Sequence, residues 1–172
     1  MGHESHKEKL GVEMKRDHIV HGPEEGARRW FAGGGVHRWL ATSAETDGEF
    51  FLFEDHMDGG KATPLHSHPT AESLCVLEGE IVLHLDGTEF RLGAGSFASA
   101  PAGVPHAFRV VSAAARILFL HTPGPSHAEA FYLQASEPLA SQSESDVDLG
   151  RVRASAESTG GMKLLGPPPF AP

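Results

Sequence analysis

Short apolar runs, each ended by glycine or proline, fill most of this sequence between residues 36 and 122. They include "VHRWLATS", "EFFLFEDHM", "SLCVLEG", "EIVLHLDG", "HAFRVVS" and "RILFLHTPG". The runs are rich in β-branched and aromatic residues, and no segment of helical length and periodicity interrupts them. Strands at this even spacing are typical of a sandwich or a barrel. The sequence therefore predicts an all-β domain.

One hairpin in this domain is indicated by its turn. The runs "EIVLHL" and "TEFRL" flank the dipeptide Asp86-Gly87. Asp-Gly suits the two positive φ angles of a tight type I′ turn, so this pair of runs predicts two antiparallel strands joined by two residues.

Changes in composition divide the 172 residues into three parts. Residues 1–17 are charged and aperiodic, which predicts a flexible N-terminal arm. Residues 18–125 form the predicted β-barrel domain. Residues 126–172 form a C-terminal extension with one or two short helices and a Pro-rich tail.

Two segments of the extension carry the helical signals. The segment "SHAEAFYLQAS" has apolar residues at helical spacing, with Ser126 as its N-cap, and a linker rich in Ser and Glu follows it. A second helix is predicted over residues 146–158, ending before Gly160-Gly161. The proline triplet in "LLGPPPF" prevents a helix, so the tail is expected to lie extended against a surface or a partner subunit.

Charge and cysteine content narrow the classes of partner. The formal net charge of −9 repels phosphate backbones and anionic headgroups, so neither nucleic acid nor a membrane surface is an expected partner. No apolar run approaches a membrane span, and the N-terminus has no apolar core of a secretory signal. Cys75 is the single cysteine, and it is expected to be buried and inert. A lone thiol favours a reducing compartment, and we expect a cytoplasmic protein.

The stretch "PLHSHPTAES" contains three candidate metal ligands, His66, His68 and Glu72. Histidines at i and i+2 of a strand point to the same face, and Glu72 can return to that face after the turn at Pro69. A fourth candidate, His106, follows the Pro-containing turn of "APAGVPH", and antiparallel pairing could bring it opposite the first two. Three imidazoles and one carboxylate suit a divalent transition metal with open coordination positions.

Two longer patterns around these ligands resemble the motifs of the cupin superfamily. The first is "GKATPLHSHPTAESLCVLEG", residues 60–79, and the second is "GSFASAPAGVPHAF", residues 95–108. The 15 residues between them, 80–94, are the spacer typical of small microbial cupins. One departure is Val110, where many cupins carry Asn. This departure puts in doubt a hydrogen bond that would support the metal ligands, and not the metal itself.

The resemblance implies a jelly-roll β-barrel that holds one metal ion inside it. The metal would be Fe, Mn, Ni, Co, Cu or Zn, and the ligands would be His66, His68, Glu72 and His106. A metal-free cupin, with the four residues satisfied by water, is the alternative. The chain end is also similar to that of quercetin 2,3-dioxygenase-like single-domain cupins. That similarity implies that Glu72 is a general base as well as a ligand, and that a metal-bound substrate oxygen precedes attack by O2.

Aromatic residues and further histidines complete the list of candidates. An apolar wall for a flat substrate would come from residues of the strands and their turns: Phe108, Phe51, Phe53, Trp39 and Phe97. Phe108 is the first choice because strand parity places it on the inward face with His106. The remaining histidines of the strands are expected to be structural, with a place in the cavity lining or at the solvent surface as the alternatives: His37, His56, His84 and His121.

Three functions are consistent with these features. The first is a metal-dependent dioxygenase that acts on a small enolic, phenolic or flavonol-like compound. The second is a metal or small-molecule binding protein without turnover; a transcription factor is not expected, because residues 1–35 are too broken for a helix-turn-helix. The third is a non-oxidative cupin isomerase or lyase. A homodimer is also expected, formed through strand edges and through residues 18–35 or the "GPPPF" tail.

Overall fold

The structure, a computed structural model of the chain, describes residues 18–123, 126–139 and 147–171. The predicted arm, residues 1–17, lies outside the described residues. Twelve strands and two helices are found in the described part: β1 (Ala27–Phe31), β2 (Val36–Ala41), β3 (Phe51–Asp58), β4 (Leu65–Ser67), β5 (Ala71–Glu78), β6 (Glu80–Leu85), β7 (Thr88–Gly93), β8 (Phe97–Ala100), β9 (His106–Val110), β10 (Ala114–Thr122), α1 (Ser126–Gln134), β11 (Ser136–Pro138), α2 (Leu149–Thr159) and β12 (Lys163–Gly166).

The strands form two antiparallel sheets that make a jelly roll. The larger sheet has the order β11-β1-β2-β3-β10-β5-β8, and the smaller has the order β12-β4-β9-β6-β7. The chain passes repeatedly from one sheet to the other, so the two cupin-like motifs contribute strands to both. The predicted all-β class with short C-terminal helices is confirmed. Residues 18–22, at the start of the predicted domain, form no strand.

The predicted hairpin is β6 and β7, paired from Glu80 opposite Gly93 to Leu85 opposite Thr88. Asp86 and Gly87 have φ angles of 48° and 80°, as the mirror-image turn requires. In other strands, the alternation of buried and more exposed residues determines which side chains face the core. Along β10, for example, every second residue from Ala115 to His121 is buried and its neighbours are half exposed.

The C-terminal extension is hydrogen-bonded into both sheets. Within the predicted polar linker, β11 pairs with β1, and β12 forms part of the predicted tail and pairs with β4. β11 lies where composition predicted a linker, and β12 extends the first part of the tail along β4, because unpaired edges of β1 and β4 were available to them. Of the segments proposed for exchange with a partner subunit, residues 27–31 and Gly166 pair within their own chain.

The helices agree with their sequence signals in large part. Asp148 caps α2 by accepting a hydrogen bond from the Arg151 amide, two residues after the predicted start, and Gly160 ends the helix with φ of 66°. Asp146 and the side chain of Ser126 lie outside the described residues. No helix in the described part is long and apolar enough to span a membrane. Cys75 is half buried rather than buried.

Gly79 provides a test of the packing at the end of β5. Its φ is 79°, and an added Cβ would overlap the Ala114 carbonyl oxygen. Gly87 has nearly the same φ, 80°, but nothing within 4 Å of an added Cβ. We expect Gly87→Ala to cost about 1–2 kcal/mol of unfolding free energy for the positive φ, and Gly79→Ala about 1–3 kcal/mol more for the overlap. Urea denaturation measures both. Equal losses in the two variants would contradict the packing argument.

Candidate metal site

The four predicted ligands come from three strands and meet inside the jelly roll. His66 on β4 pairs directly with His106 on β9 in the smaller sheet. Glu72 is the second residue of β5 in the larger sheet, after the turn at Pro69 and Thr70, and His68 lies one residue beyond β4. All four residues are buried, and one ligand atom from each lies within 4.8 Å of the others. The structure thus brings together every ligand that the sequence predicts.

Each of the three imidazoles is held by a backbone carbonyl. The Nδ1 atoms lie 2.7 Å from Pro64 O for His66, 3.0 Å from Gly161 O for His68, and 2.9 Å from Val104 O for His106. A carbonyl oxygen only accepts, so each Nδ1 must donate its proton. The tautomer that results leaves the Nε2 lone pair free, which is the state of a metal-ligating histidine.

The turn of the second motif is attached directly to the first. The Gly103 amide donates to the His68 carbonyl at 2.8 Å, and the Val104 amide closes the turn on Pro101 O at 3.1 Å. This turn precedes His106 by three residues, so it fixes the position of β9 relative to β4. The glycine and proline anchors of the two motifs therefore position the ligands rather than contact a metal.

The Glu72 carboxylate lies among the Nε2 atoms. Its Oε2 is 3.0 Å from His68 Nε2, and its Oε1 is 3.6 Å from His106 Nε2. These two Nε2 atoms are buried, and neither has a hydrogen-bond partner of suitable geometry among the described residues. Buried polar atoms of native proteins are rarely left unpaired. Unpaired nitrogens around a carboxylate, each with a free lone pair, fit a divalent metal at their centre.

The electrostatics of the cluster keep most of its members in ligand form. Burial lowers the pKa of His66 to about 3, and the neighbouring His68 and His106 add to the shift, so this imidazole is neutral at pH 7. Burial acts to raise the pKa of Glu72, but His68 and His106 outweigh it and hold that pKa well below its usual value. For His106, burial acts to lower the pKa, and the adjacent Glu72 carboxylate outweighs it and raises the pKa.

A fifth buried residue, His121, was expected to be structural but lies at the cluster. Its Nε2 is 3.3 Å from Glu72 Oε2, because β10 pairs with β5 so that His121 faces Glu72. Burial lowers its pKa to about 3. Thr70 Oγ1 lies 3.4 Å from its Nδ1. The alternation of "RILFLHT" could have placed His121 inward, but its neighbour across the sheet depends on the pairing of distant strands.

A cavity opens from the cluster, with His66 and Glu72 in its lining. Phe53 and Phe108, two of the predicted wall residues, are in its lining, together with Phe31, Phe119 and Tyr132 from other strands and α1. Phe51 and Trp39 are buried in the aromatic core and are not among the lining residues. Phe97 is 67% exposed on β8, an edge strand, so its proposed place in the substrate pocket is wrong.

The other histidines have separate environments. His37 is fully buried beside Asp55, with Nε2 3.4 Å from Asp55 Oδ2. His56 is partly exposed and contacts Glu54 at 2.5 Å. His84 is half buried on β6. Of these three, only His37 lines the cavity.

The sequence and the fold both have relatives among known proteins. Residues 53–121 match the family described as cupin domain. Over 65 residues the chain is 43% identical to quercetin 2,3-dioxygenase of Bacillus subtilis (strain 168), covering 36% of this chain and 19% of the relative. Over 73 residues it is 38% identical to the HTH-type transcriptional regulator PuuR of Escherichia coli (strain K12), covering 42% and 40%. The chain thus spans less than half of either curated relative.

A solved structure matches more of the fold. The RmlC-like cupin from Shewanella frigidimarina superimposes with a TM-score of 0.56 and 21% identity, covering 64% of this chain and 95% of its own. At this identity the match shows a shared jelly roll and nothing about activity.

Removal of one ligand tests the metal site. We expect the full chain, purified without chelator, to contain a divalent metal, and His66→Ala to lower the bound metal at least about 10-fold because one of four ligands is lost. Elemental analysis by plasma mass spectrometry measures the content. His84→Ala is the control, since this half-buried histidine lies outside the cluster. Equal metal in His66→Ala and the unmodified chain would contradict the assignment.

Acidification tests the electrostatics of the cluster in chelator-treated protein. In the fold, burial lowers the pKa of His66 and His121 to about 3 from the ordinary histidine value of 6.5. The unfolded chain therefore binds more protons between these values, so the stability is complete above about pH 6.5 and is lost as the pH falls toward about 3. The lowered pKa of Glu72 adds to the loss below about pH 4.5, whereas the raised pKa of His106 changes the stability only above about pH 6.5.

We therefore expect the melting temperature of the chelator-treated protein to fall from about pH 7 to about pH 4, as followed by circular dichroism. His121→Asn removes one of the two depressed groups and should make this dependence shallower. A melting temperature that is constant or rises on acidification would contradict the prediction.

Proposed function

The chain belongs to the cupin superfamily, and on this premise we propose that it is a metal-dependent dioxygenase for a small, planar enolic or phenolic compound. The observation that carries the proposal is the opening of the His66, His68, Glu72 and His106 cluster into a cavity with aromatic walls. A flat ligand with a hydroxyl or enol oxygen fits both parts of this site. The partial identity with a quercetin 2,3-dioxygenase supports the substrate class.

The four ligands would hold one divalent metal, and the unpaired Nε2 atoms described above are consistent with that role. When bound, such a metal supplies Lewis-acid and redox chemistry at its open coordination positions. The metal identity is left to measurement, since affinity and cellular supply both decide it.

Glu72 has a second role in the proposed reaction as the base for the substrate hydroxyl. Its lowered pKa keeps the carboxylate ionised at neutral pH, which both a ligand and a base require. A proton accepted at Oε2 would lie next to His121 Nε2, 3.3 Å away. His121 is held among Phe51, Phe53 and Tyr132, so it restricts the orientation of the carboxylate.

The walls of the cavity orient the substrate and exclude water. Phe53 and Phe119 stack with ring centroids 5.3 Å apart and planes inclined by 19°, and Phe108 packs against Phe119 at 5.7 Å. Such a wall favours a flat ligand through apolar burial. Val152 and Met162 from the C-terminal extension also line the cavity.

The homodimer and the cytoplasmic location stay predictions. The outer strands β7 and β8 carry exposed aromatic residues, with Phe90 45% and Phe97 67% exposed. Exposed apolar side chains on edge strands are consistent with pairing between two copies.

Oxygen consumption tests the proposed reaction. With the chain loaded separately with Fe, Mn, Ni or Co, we expect a panel of flavonols, β-diketones and catechols to give substrate-dependent O2 uptake at an oxygen electrode. Glu72→Gln should lower the rate by about 100-fold or more, because both a ligand and the proposed base are lost. Glu89→Gln, an exposed carboxylate on β7, is the control.

Two outcomes would redirect the proposal. If no combination of metal and compound gives O2 uptake, the proposed dioxygenase activity is contradicted. Full turnover by the zinc-loaded chain without O2 would favour a non-oxidative isomerase or lyase in its place.

A further inference from the structure

A second polar cluster lines the same cavity at a distance from the metal ligands. Lys61 Nζ is 2.7 Å from Asp55 Oδ2, and His37 Nε2 is 3.4 Å from that oxygen. The side chains are 9%, 4% and 1% exposed for Lys61, Asp55 and His37, so solvent does little to satisfy them. We refer to these three residues as the polar subsite.

The strand registers of both sheets place the residues of the polar subsite at the same distance along the strands from the metal-ligand cluster. In the larger sheet, His121 pairs with both Glu72 and Phe51, and Asp55 follows Phe51 by four residues on the same face. In the smaller sheet, the Val110 amide donates to the Lys61 carbonyl, and Val110 follows His106 by four residues. Both sheets therefore set the subsite about 13 Å along the strands from the metal cluster.

Aromatic rings lie between the polar subsite and the metal-ligand cluster. The Phe53 ring lies 4.7 Å from His37 and 6.1 Å from His121, and the Tyr132 ring lies 5.4 and 5.6 Å from the same two. Phe31 stacks on His37 at 4.7 Å with planes 20° apart. Two polar ends joined by an aromatic middle match a planar compound with polar groups at both ends.

The charges of the polar subsite add to zero. Burial acts to raise the pKa of Asp55, but Lys61 and His37 outweigh it and lower that pKa, so the carboxylate is ionised and pairs with the ammonium. Burial lowers the pKa of His37, which leaves its imidazole neutral. An anionic ligand group at Lys61 would meet the Asp55 carboxylate, and a cationic group at Asp55 would meet the Lys61 ammonium. The subsite therefore suits a neutral polar group.

Unpaired atoms show that the polar subsite is incomplete within the described residues. Asp55 Oδ1 and His37 Nδ1 are buried and have no hydrogen-bond partner there. A buried group left unpaired costs about 1–3 kcal/mol, more when it is charged. The ion pair also lies close against Gly35, which has no side chain. A Cβ added at Gly35 would lie 2.5 Å from Asp55 Oδ1 and 3.0 Å from Lys61 Nζ. Both atoms are acceptors, since His37 Nε2 faces Asp55 Oδ2 as the donor, so a hydroxyl group can donate to one of them and accept from the Lys61 ammonium.

We propose that the polar subsite binds a hydroxyl group at the far end of a planar ligand whose near end reaches Glu72. The inference rests on the proposed function, because it takes the cavity to be the substrate site. It adds a specificity: the substrate carries a second, neutral hydroxyl group distant from the reacting oxygen. Lys61 donates to this hydroxyl and the Asp55–His37 side of the subsite accepts from it.

Two probes that differ by one hydroxyl test the subsite in the full chain. The probes are 3-hydroxyflavone and 3,4′-dihydroxyflavone, and the chain is loaded with redox-inactive Zn²⁺ and kept without O2 so that binding is measured apart from turnover. We expect the dihydroxy probe to bind at least about 10-fold more tightly by calorimetry, because its distal hydroxyl pairs with groups that stay unpaired around the other probe.

The main variant is the double substitution Asp55→Asn with Lys61→Met. It removes both charges together, since loss of one partner alone would leave an unpaired buried charge. We expect it to bind 3-hydroxyflavone as the unmodified chain does and to prefer the dihydroxy probe by no more than about twofold. The control is Lys163→Met, an exposed lysine on β12. Melting curves and zinc content establish that each variant is folded and loaded.

A second variant tests the subsite if the double variant does not fold. His37→Phe keeps a ring between Phe31 and Phe53 but removes the imidazole nitrogens. We expect it to reduce the preference for the dihydroxy probe by about threefold or more.

Three results would overturn the polar subsite: equal affinity of the unmodified chain for the two probes, an unchanged preference in the folded variants, or binding of neither probe. The proposed function is judged separately by O2 uptake with the redox-active metals. If 3-hydroxyflavone gives O2 uptake but the two probes bind with equal affinity, the proposed dioxygenase activity is supported and the proposed polar subsite is contradicted.

Discussion

The burial of a polar cluster inside an apolar jelly roll is the constraint on which the rest of the structure depends. Five histidine and glutamate side chains lose their water in the core, and this is costly unless each polar atom has a partner. The backbone meets part of that cost, because the Nδ1 atoms of His66, His68 and His106 lie against carbonyl oxygens. The Nε2 atoms converge on Glu72, where a metal ion would satisfy them together.

This arrangement depends on segments far from the two motifs. The carbonyl that holds His68 belongs to Gly161, between α2 and β12, and β12 lies beside β4 in the smaller sheet. Gly161 itself has no room for a side chain, because a Cβ would overlap the His127 carbonyl of α1. The C-terminal extension is thus part of the site, and it also supplies Val152 and Met162 to the cavity wall.

Polarity changes along the interior in a way that gives the cavity two ends. The histidine cluster occupies one level, aromatic rings the next, and the Asp55–Lys61 ion pair the level beyond. An ion pair buried in such a place contributes little net stability, since the cost of desolvation offsets the attraction between the charges. Its position in the lining of the cavity is consistent with the recognition role proposed for it.

Local pattern allowed the strands, the Asp86-Gly87 turn, α2 and the four residues of the candidate metal site to be identified, because strand parity and turn residues act over a few positions. The prediction for Phe97 was wrong because parity cannot say which face of an edge strand is covered. By itself, the sequence determined the all-β class and pointed to four candidate ligands within two motifs. Only the tertiary structure decided that His121 meets Glu72, that Gly161 holds His68, and that Lys61 joins Asp55. Each of those contacts requires a register between strands or segments distant in sequence, and long-range packing sets that register.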